Sequence, residues 1–394
     1  MTDLETLSAP ALSNEGKEEL TSRGYSRRHF GRIAALLGGG VAMAQLAGPA
    51  FGQQAARPVS GAIRIGANEC WTGPFPAAAQ AAMRIVTQGH RYDPDNEHGK
   101  LFSAVSAVEG VPVERIMAWP GSSDPLARSA VTFASPTRGI VTADVTYESI
   151  WRTAAWIGAK VTKVPLTKNY AHDVKAMLAA DPNAGLYYVC SPNNPTGTLT
   201  PIADIIWLAE NKPKDAILLV DEAYIHFADA PNAAKLAASR DDVIVMRTFS
   251  KLFGMAGMRL GLTFAAPELT KKMMRYDGNQ VTNMLPMTAV ACGTAAVGMA
   301  AEIKARRDEM IAAREKTIAH IQRRGLKVMP GSNANMFMLE WKDKTPREMM
   351  VALLAEGVQI GRSWEVLPKM SRVTVGSAEE MQKFCIALDK VLMA

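Results

Sequence analysis

The stretch VIVMRTFSKLFGMAGMRLG, residues 243–261, decides the reading of this chain. It opens on Val243, Ile244 and Val245, an apolar, β-branched run that reads as a buried strand. Thr248 and Ser250 follow, then Lys251, then Gly254, Gly257 and Arg259, leading into a second apolar run, Leu260–Phe264. A lysine between two buried strands is costly to place without a partner. It is either a solvated surface charge, half of a structural ion pair, or a reactive amine. The flanking hydroxyls and Arg259 offer donors to a phosphate, so Lys251 is a candidate to hold a phosphorylated carbonyl cofactor as a Schiff base.

Outward from this stretch the same pattern repeats. Strand-like runs at Ile116–Trp119, Gly139–Thr142, Lys160–Val164, Leu186–Cys190 and Ile217–Val220 precede it, most of them separated by helix-length segments. With Val243–Thr248 and Leu260–Phe264 they make seven strands. Such alternation predicts a largely parallel sheet wrapped by helices. Helical patterns at Met284–Met299 and Glu302–Arg324 come next, followed by strands at Met336–Glu340, Val358–Gly361 and Arg372–Val375. This last region reads as a second, smaller domain.

In an open parallel sheet, ligands bind at the carboxyl ends of the strands. The residues just after each strand are therefore the candidates. Pro120-Gly121-Ser122-Ser123 presents backbone N–H groups and hydroxyls at a helix start, which suits a phosphate. Tyr147 follows the next strand, as a ring to stack on a planar group or as ordinary core. In Ser191-Pro192-Asn193-Asn194-Pro195-Thr196-Gly197 two prolines fix a turn that aims the Asn194 amide over the sheet. In Asp221-Glu222-Ala223-Tyr224 an aspartate ends a buried strand and requires a positive or donor partner. Each turn alone is explained by helix capping; together, in this order, they are not.

Length and composition fit one large or two moderate domains with a sizeable core: 394 residues, 48% apolar, 21% charged. The net charge of +6 is spread without a basic run, so no nucleic-acid partner is expected. An anionic small molecule fits the same charge. Cys70, Cys190, Cys292 and Cys385 are widely spaced, so neither a metal site nor a disulfide is expected. Cys190 and Cys385 read as buried thiols.

Residues 1–25 are polar and show neither helical nor strand periodicity. Ser26-Arg27-Arg28-His29-Phe30 then precedes an apolar run, Ile33–Ala47, diluted by Gly38, Gly39 and Gly40. The run falls short of the roughly 18 apolar residues a membrane span needs, so no stable insertion is expected. The pattern resembles a twin-arginine export signal, with small residues near Gly52 for cleavage. That resemblance implies a periplasmic mature protein starting near Gln53.

S-P-N-N-P-T-G, D-E-A-Y and T-F-S-K-x-F-x-x-A-G-x-R-x-G, at these intervals, resemble the class I/II aminotransferases, pyridoxal-phosphate enzymes of fold type I. Within that family the chain looks most similar to the histidinol-phosphate aminotransferases, from roughly Ile63 to the C-terminus. The resemblance implies an α/β fold with a seven-stranded, mostly parallel sheet in a large domain and a smaller α/β C-terminal domain. It divides the chain into a signal peptide at 1–52, an N-terminal arm and part of the small domain at 53–95, a large cofactor-binding domain at 96–290 and a small C-terminal domain at 291–394. It makes Lys251 the Schiff-base lysine and proton shuttle, pairs Asp221 with the pyridinium nitrogen, and sets Asn194 and Tyr224 on the ring's phenolic oxygen. Tyr147 would stack on the ring, and Ser122, Ser123, Thr248, Ser250 and Arg259 would hold the phosphate. Tyr92 would reach the phosphate of a neighbouring subunit, implying a homodimer with shared sites. Arg372 would bind the substrate carboxylate, Asn68 would close over the substrate, and Arg362 would face its side chain.

The implied reaction moves an amino group from an amino acid to a 2-oxo acid or related carbonyl acceptor. Decarboxylation or β-elimination on the same scaffold is the alternative, since fold does not fix function. A non-catalytic binding protein is disfavoured by the intact Lys251 and the lack of an appended DNA-binding segment. The chain departs from the family in three places. Asn68-Glu69-Cys70-Trp71 stands where the family usually reads N-E-N-P. Val145-Thr146-Tyr147 stands for P-T-Y. The segment between Arg362 and Arg372 is short and carries Trp364. All three lie at or near the places where substrate side chains are read.

Overall fold

A computed structural model describes residues 12–37, 61–275 and 285–393. Its centre is a seven-stranded sheet built from β2 to β8, after a short first strand β1 (Ile63–Ile65). The seven are β2 (Ile116–Trp119), β3 (Ile140–Asp144), β4 (Val161–Pro165), β5 (Leu186–Cys190), β6 (Ile217–Asp221), β7 (Val243–Thr248) and β8 (Gly261–Phe264). Their order across the sheet is β2-β8-β7-β6-β5-β3-β4. All neighbours are parallel except β8, which runs antiparallel to both β2 and β7. The anticipated strands thus match to within a residue at most ends.

Side chains alternate across a strand, so a sheet covered on both faces has two cores. On one side, Leu218 and Val220 of β6 and Val243 and Val245 of β7 join a cluster that runs on into the C-terminal region. On the other, Ile217, Leu219, Ile244 and Met246 join a separate cluster with Leu126, Ile150 and Met273. Every residue of β5, β6 and β7 is buried.

The C-terminal region forms a three-stranded sheet of β9 (Lys327–Val328), β10 (Met336–Glu340) and β12 (Met370–Thr374), with β10 central. β11 (Val358–Ile360) instead pairs parallel with β1, tying the N-terminal segment to this region. β9 and the helices Pro346–Ala355 and Ala378–Met393 are not foreseen from the sequence. A two-residue strand is too short to show a period.

The N-terminus corrects one expectation. Residues 14–22 form helix α1 (Asn14–Ser22), capped by the Ser13 hydroxyl accepting from Gly16 N at 3.0 Å. α2 (Arg27–Leu37) follows. The sequence hides α1 because it buries a single residue, Leu20, and one apolar contact makes no stripe. Leu20, Tyr25, Ile33 and Leu36 join the second core cluster. Arg23 Nη2 donates to Val131 O and Ala134 O, both at 2.8 Å. It places a cation on the free carbonyls at the end of helix Ser123–Phe133, which the helix dipole favours. Arg27 and Arg28 stay exposed. The expected cleavage point near Gly52 lies outside the described residues. Among the described residues no helix is long and apolar enough to cross a membrane. Cys190 and Cys292 are buried, whereas Cys385 is only half-buried, alongside Cys70.

Candidate active site

Parallel strands bring their carboxyl ends to one edge, and there β3, β5, β6 and β7 deliver their following turns to a single cavity of about 740 Å³. Asn68, Ser122, Ser123, Tyr147, Asn194, Asp221, Tyr224, Thr248, Ser250, Lys251, Arg259, Arg362 and Arg372 all line it. Tyr92 does not; it is 94% exposed.

Lys251 follows β7 at the inner end. Its Nζ donates to Asn68 O at 3.1 Å and lies 5.5 Å from the centre of the Tyr224 ring. Burial, and then the nearby Arg372 charge, push its amine down to about 8. About a tenth of such an amine is neutral, and so nucleophilic, at pH 7, far more than at the ordinary lysine value.

Asp221 ends β6 and is buried. It accepts from Tyr188 Oη at 2.9 Å and from Ala223 N at 3.1 Å. Burial pushes its carboxyl up, while these two bonds pull it back. Both donors are neutral, and among the described residues Asp221 has no ion-pair partner. Its neighbour Glu222 turns to the other side and pairs with Arg247 at 2.8 Å, so only one acid of the D-E pair serves the cavity.

Tyr224 Oη accepts from Asn68 Nδ2 at 3.0 Å and from Asn194 Nδ2 at 3.4 Å. Burial raises its hydroxyl well above the ordinary value, keeping it protonated as a donor. Asn194 in turn accepts from Arg372 Nη1 at 2.8 Å. Asn68 is held at φ 53° by exchanging bonds with the Thr374 hydroxyl, each 2.9 Å. Asn194, Tyr224, Asn68 and Arg372 therefore form one hydrogen-bonded set.

Thr248 donates to Ser250 Oγ at 2.9 Å, and Arg259 Nη1 reaches the same oxygen at 3.5 Å. Arg259 also donates to Ala256 O at 2.9 Å and has no carboxylate partner among the described residues. Gly121 is needed here: its φ is +85°, and a Cβ on it would fall 2.0 Å from Arg259 Nη2. A cation without an anion, set among four hydroxyls and a helix start, suits a phosphate. A buried carboxylate without a cation suits a protonated ring nitrogen. The residues present thus fit pyridoxal phosphate at both of its charged ends.

The sequence reading missed the supports of this set. Tyr188 sits two residues before the end of β5, on the strand next to Asp221, and its hydroxyl orients that carboxylate. The strand register carries this signal. His172 is buried behind the Asn193–Asn194 turn, 3.3 Å from Asn193 Oδ1 and 3.4 Å from Cys190 N. Burial lowers its imidazole to about 4, so it is neutral. Glu148, whose Oε2 accepts from Arg362 Nη2 at 2.5 Å and from Arg152 Nε at 3.1 Å, was also missed. No local pattern links residues so distant in sequence.

Known proteins agree with this geometry. The description "aminotransferase class I and II" matches residues 60–388. The histidinol-phosphate aminotransferase of Moorella thermoacetica is 32% identical over 341 residues, 85% of this chain and 86% of the relative. The aromatic amino acid aminotransferase of Nocardia farcinica is 31% identical over 343 residues, covering 85% and 93%. The crystal structure of the Sinorhizobium meliloti histidinol-phosphate aminotransferase with pyridoxal-5'-phosphate superposes with a TM-score of 0.76 at 25% identity. That superposition covers 84% of this chain and 91% of that one. With a lowered lysine amine, a buried aspartate and an arginine that have no ion-pair partners among the described residues, all converging in one cavity of this fold, the chain belongs to the class I and II aminotransferases and is a pyridoxal-phosphate-dependent aminotransferase.

Proposed function

We propose that the enzyme moves an amino group from an α-amino acid to a 2-oxo acid with Lys251 as the residue that carries the cofactor and shuttles the proton. When bound, pyridoxal phosphate supplies the carbonyl that takes the amino group and an electron sink for the substrate Cα. Ser122, Ser123, Thr248, Ser250 and Arg259 would hold its phosphate. Asp221 would hold its ring nitrogen protonated, Tyr224 and Asn194 would donate to its phenolic oxygen, and Tyr147 would cover the ring. Arg372 takes the substrate α-carboxylate, with Asn68 beside it. Lys251, in its neutral form, would be the base that takes the proton from the substrate Cα and holds it at Nζ for return. The observation that carries this reading is the Lys251 amine lowered to about 8 in the same cavity as the uncompensated Asp221. A half-reaction screen of amino donors, followed by cofactor absorbance, tests it. Absence of any conversion to the amine form of the cofactor would overturn transfer.

The fully exposed Tyr92 favours the reading of a homodimer in which this ring serves the partner's phosphate. Scattering mass in solution, and tighter cofactor retention than in Tyr92→Ala, are the expected results. The paired, exposed Arg27 and Arg28 favour twin-arginine export to the periplasm. Their helix packs on the enzyme through Ile33 and Leu36, so the folded protein itself would present the pair. A reporter fused after residue 60 should be exported only with both arginines; export with both replaced by lysine would remove this reading.

A further inference from the structure

We propose that Glu148 makes this enzyme select amino donors with uncharged, apolar side chains and reject anionic ones. The inference rests on the aminotransferase reading and names the substrate class of that site.

Six arginines line the cavity, and two of them, Arg372 and Arg362, have their charges handled differently. Arg372 donates from Nη1 to Asn194 Oδ1 at 2.8 Å and from Nη2 to Gly66 O at 2.6 Å, both neutral acceptors. Its Nε is buried and has no partner. Burial holds its guanidinium below the ordinary value, and the neighbouring Arg362 charge adds to this. Arg372 is therefore a desolvated cation awaiting an anion, which the α-carboxylate supplies.

Arg362 already has its anion. Its Nη2 donates to Glu148 Oε2 at 2.5 Å, and its guanidinium lies 4.3 Å from the centre of the Trp364 ring. The same Glu148 oxygen accepts from Arg152 Nε at 3.1 Å, four residues along the following helix. Glu148 is 15% exposed and sits directly after Tyr147. Of the other charges facing this end, Arg64 is paired with Glu69 at 3.4 Å and both are solvent-accessible, while Arg347 is exposed. Such charges are screened and attract weakly.

An anionic side chain that reaches Arg362 here must either lie beside the Glu148 carboxylate or compete with it for the two guanidiniums it joins. Like charges brought together in a partly desolvated site oppose binding strongly. An apolar side chain leaves the ion pairs intact. It meets Met350, Val351, Leu354, Ile360 and the face of Trp364, which line this end. Glu148 is thus a specificity residue; it acts by occupying Arg362.

The test uses the purified, cofactor-loaded full chain. Half-reaction kcat/KM is measured for the near-isosteric pairs glutamine/glutamate and asparagine/aspartate. Binding of two unreactive probes, 3-phenylpropionate and maleate, is measured by calorimetry. The amide should exceed the acid by about tenfold in kcat/KM, and 3-phenylpropionate should bind tighter than maleate. In Glu148→Gln, which keeps an acceptor for Arg362 without the charge, both preferences should shrink severalfold toward the acid. Wild-type preference for the acids and for maleate, or unchanged ratios in Glu148→Gln, would overturn the proposal. If no donor reacts, transfer itself fails, while the two probes still report on Glu148. The wild-type measurements need no variant to fold.

Discussion

At the inner end of the cavity, among the described residues, Asp221 is buried with two neutral donors and no ion-pair partner, and Arg259 stands without a carboxylate. At the outer end Arg362 is already joined to Glu148. The first arrangement is electrostatically incomplete, and a ligand carrying both a positive ring and a negative phosphate completes it. In the second, the Arg362 guanidinium has its carboxylate before any ligand arrives. Leaving charges unpaired costs folding stability, so such a site is maintained for what binds there. Neutralising a charge in advance instead filters what may bind. One pocket therefore combines a cofactor end that demands charged groups with a side-chain end that filters by charge.

The largest expected effect lies at the cofactor end. Lys251→Ala should lower kcat by about 10⁴-fold or more and abolish the borohydride-reducible link to the cofactor. Turnover near the wild-type level would break the comparison, because the inner end would then not be the chemical one. The same lysine gives a pH signature. Only the neutral amine attacks the carbonyl of added pyridoxal phosphate, so the loading rate of cofactor-free enzyme should rise with pH and level off above about 8. A midpoint near the ordinary lysine value of 10.5 would mean that burial does not tune the amine.

Arg372→Ala comes next. It removes a charge-assisted contact to the substrate carboxylate, and kcat/KM for amino acids should fall about 100-fold, mostly through KM. Decarboxylated amines should lose far less. Equal losses for both would place the carboxylate elsewhere.

A smaller effect concerns the support behind Asn194. The folded-state imidazole of His172 is lowered to about 4, against an ordinary 6.5. Between those values the unfolded chain holds more protons, so stability falls as pH drops from about 6.5 toward 4. His172→Gln should cost about 1–3 kcal/mol at neutral pH by leaving Asn193 and Cys190 N less well bonded. It should also flatten the acid slope of the melting temperature; an unchanged slope would assign it to other groups.

The smallest effect is expected at the outer end. Trp364→Leu removes the ring under Arg362 but leaves the Glu148 pair, and a stacked cation contributes only about 1 kcal/mol. A severalfold rise in KM for aromatic donors, with cofactor absorbance unchanged, is the expected result. A collapse of cofactor binding would erase the distinction between the two ends.

What was legible follows from distance along the chain. Lys251, Asn194 and Tyr147 each sit just after a buried strand of strong apolar pattern and Asp221 ends one, so locating the strands located the residues. The helix α1 was not legible, because its one buried residue, Leu20, leaves no periodic trace. Arg23 shows the same limit. Nothing near it in sequence announces that it caps the carbonyls of Val131 and Ala134, more than a hundred positions away.

The amino-acid sequence by itself determined the parallel sheet, the order of its loops and the residues that would meet a cofactor. Consecutive strands of one direction deliver their ends to one edge whatever the rest of the chain does. Only the tertiary structure decided the charge of the substrate end. Glu148 and Arg362 are 214 residues apart, and they meet because β1 and β11 carry the C-terminal region over the turn after β3. An ion pair of that kind depends on long-range packing, and packing is not written in any local run of residues.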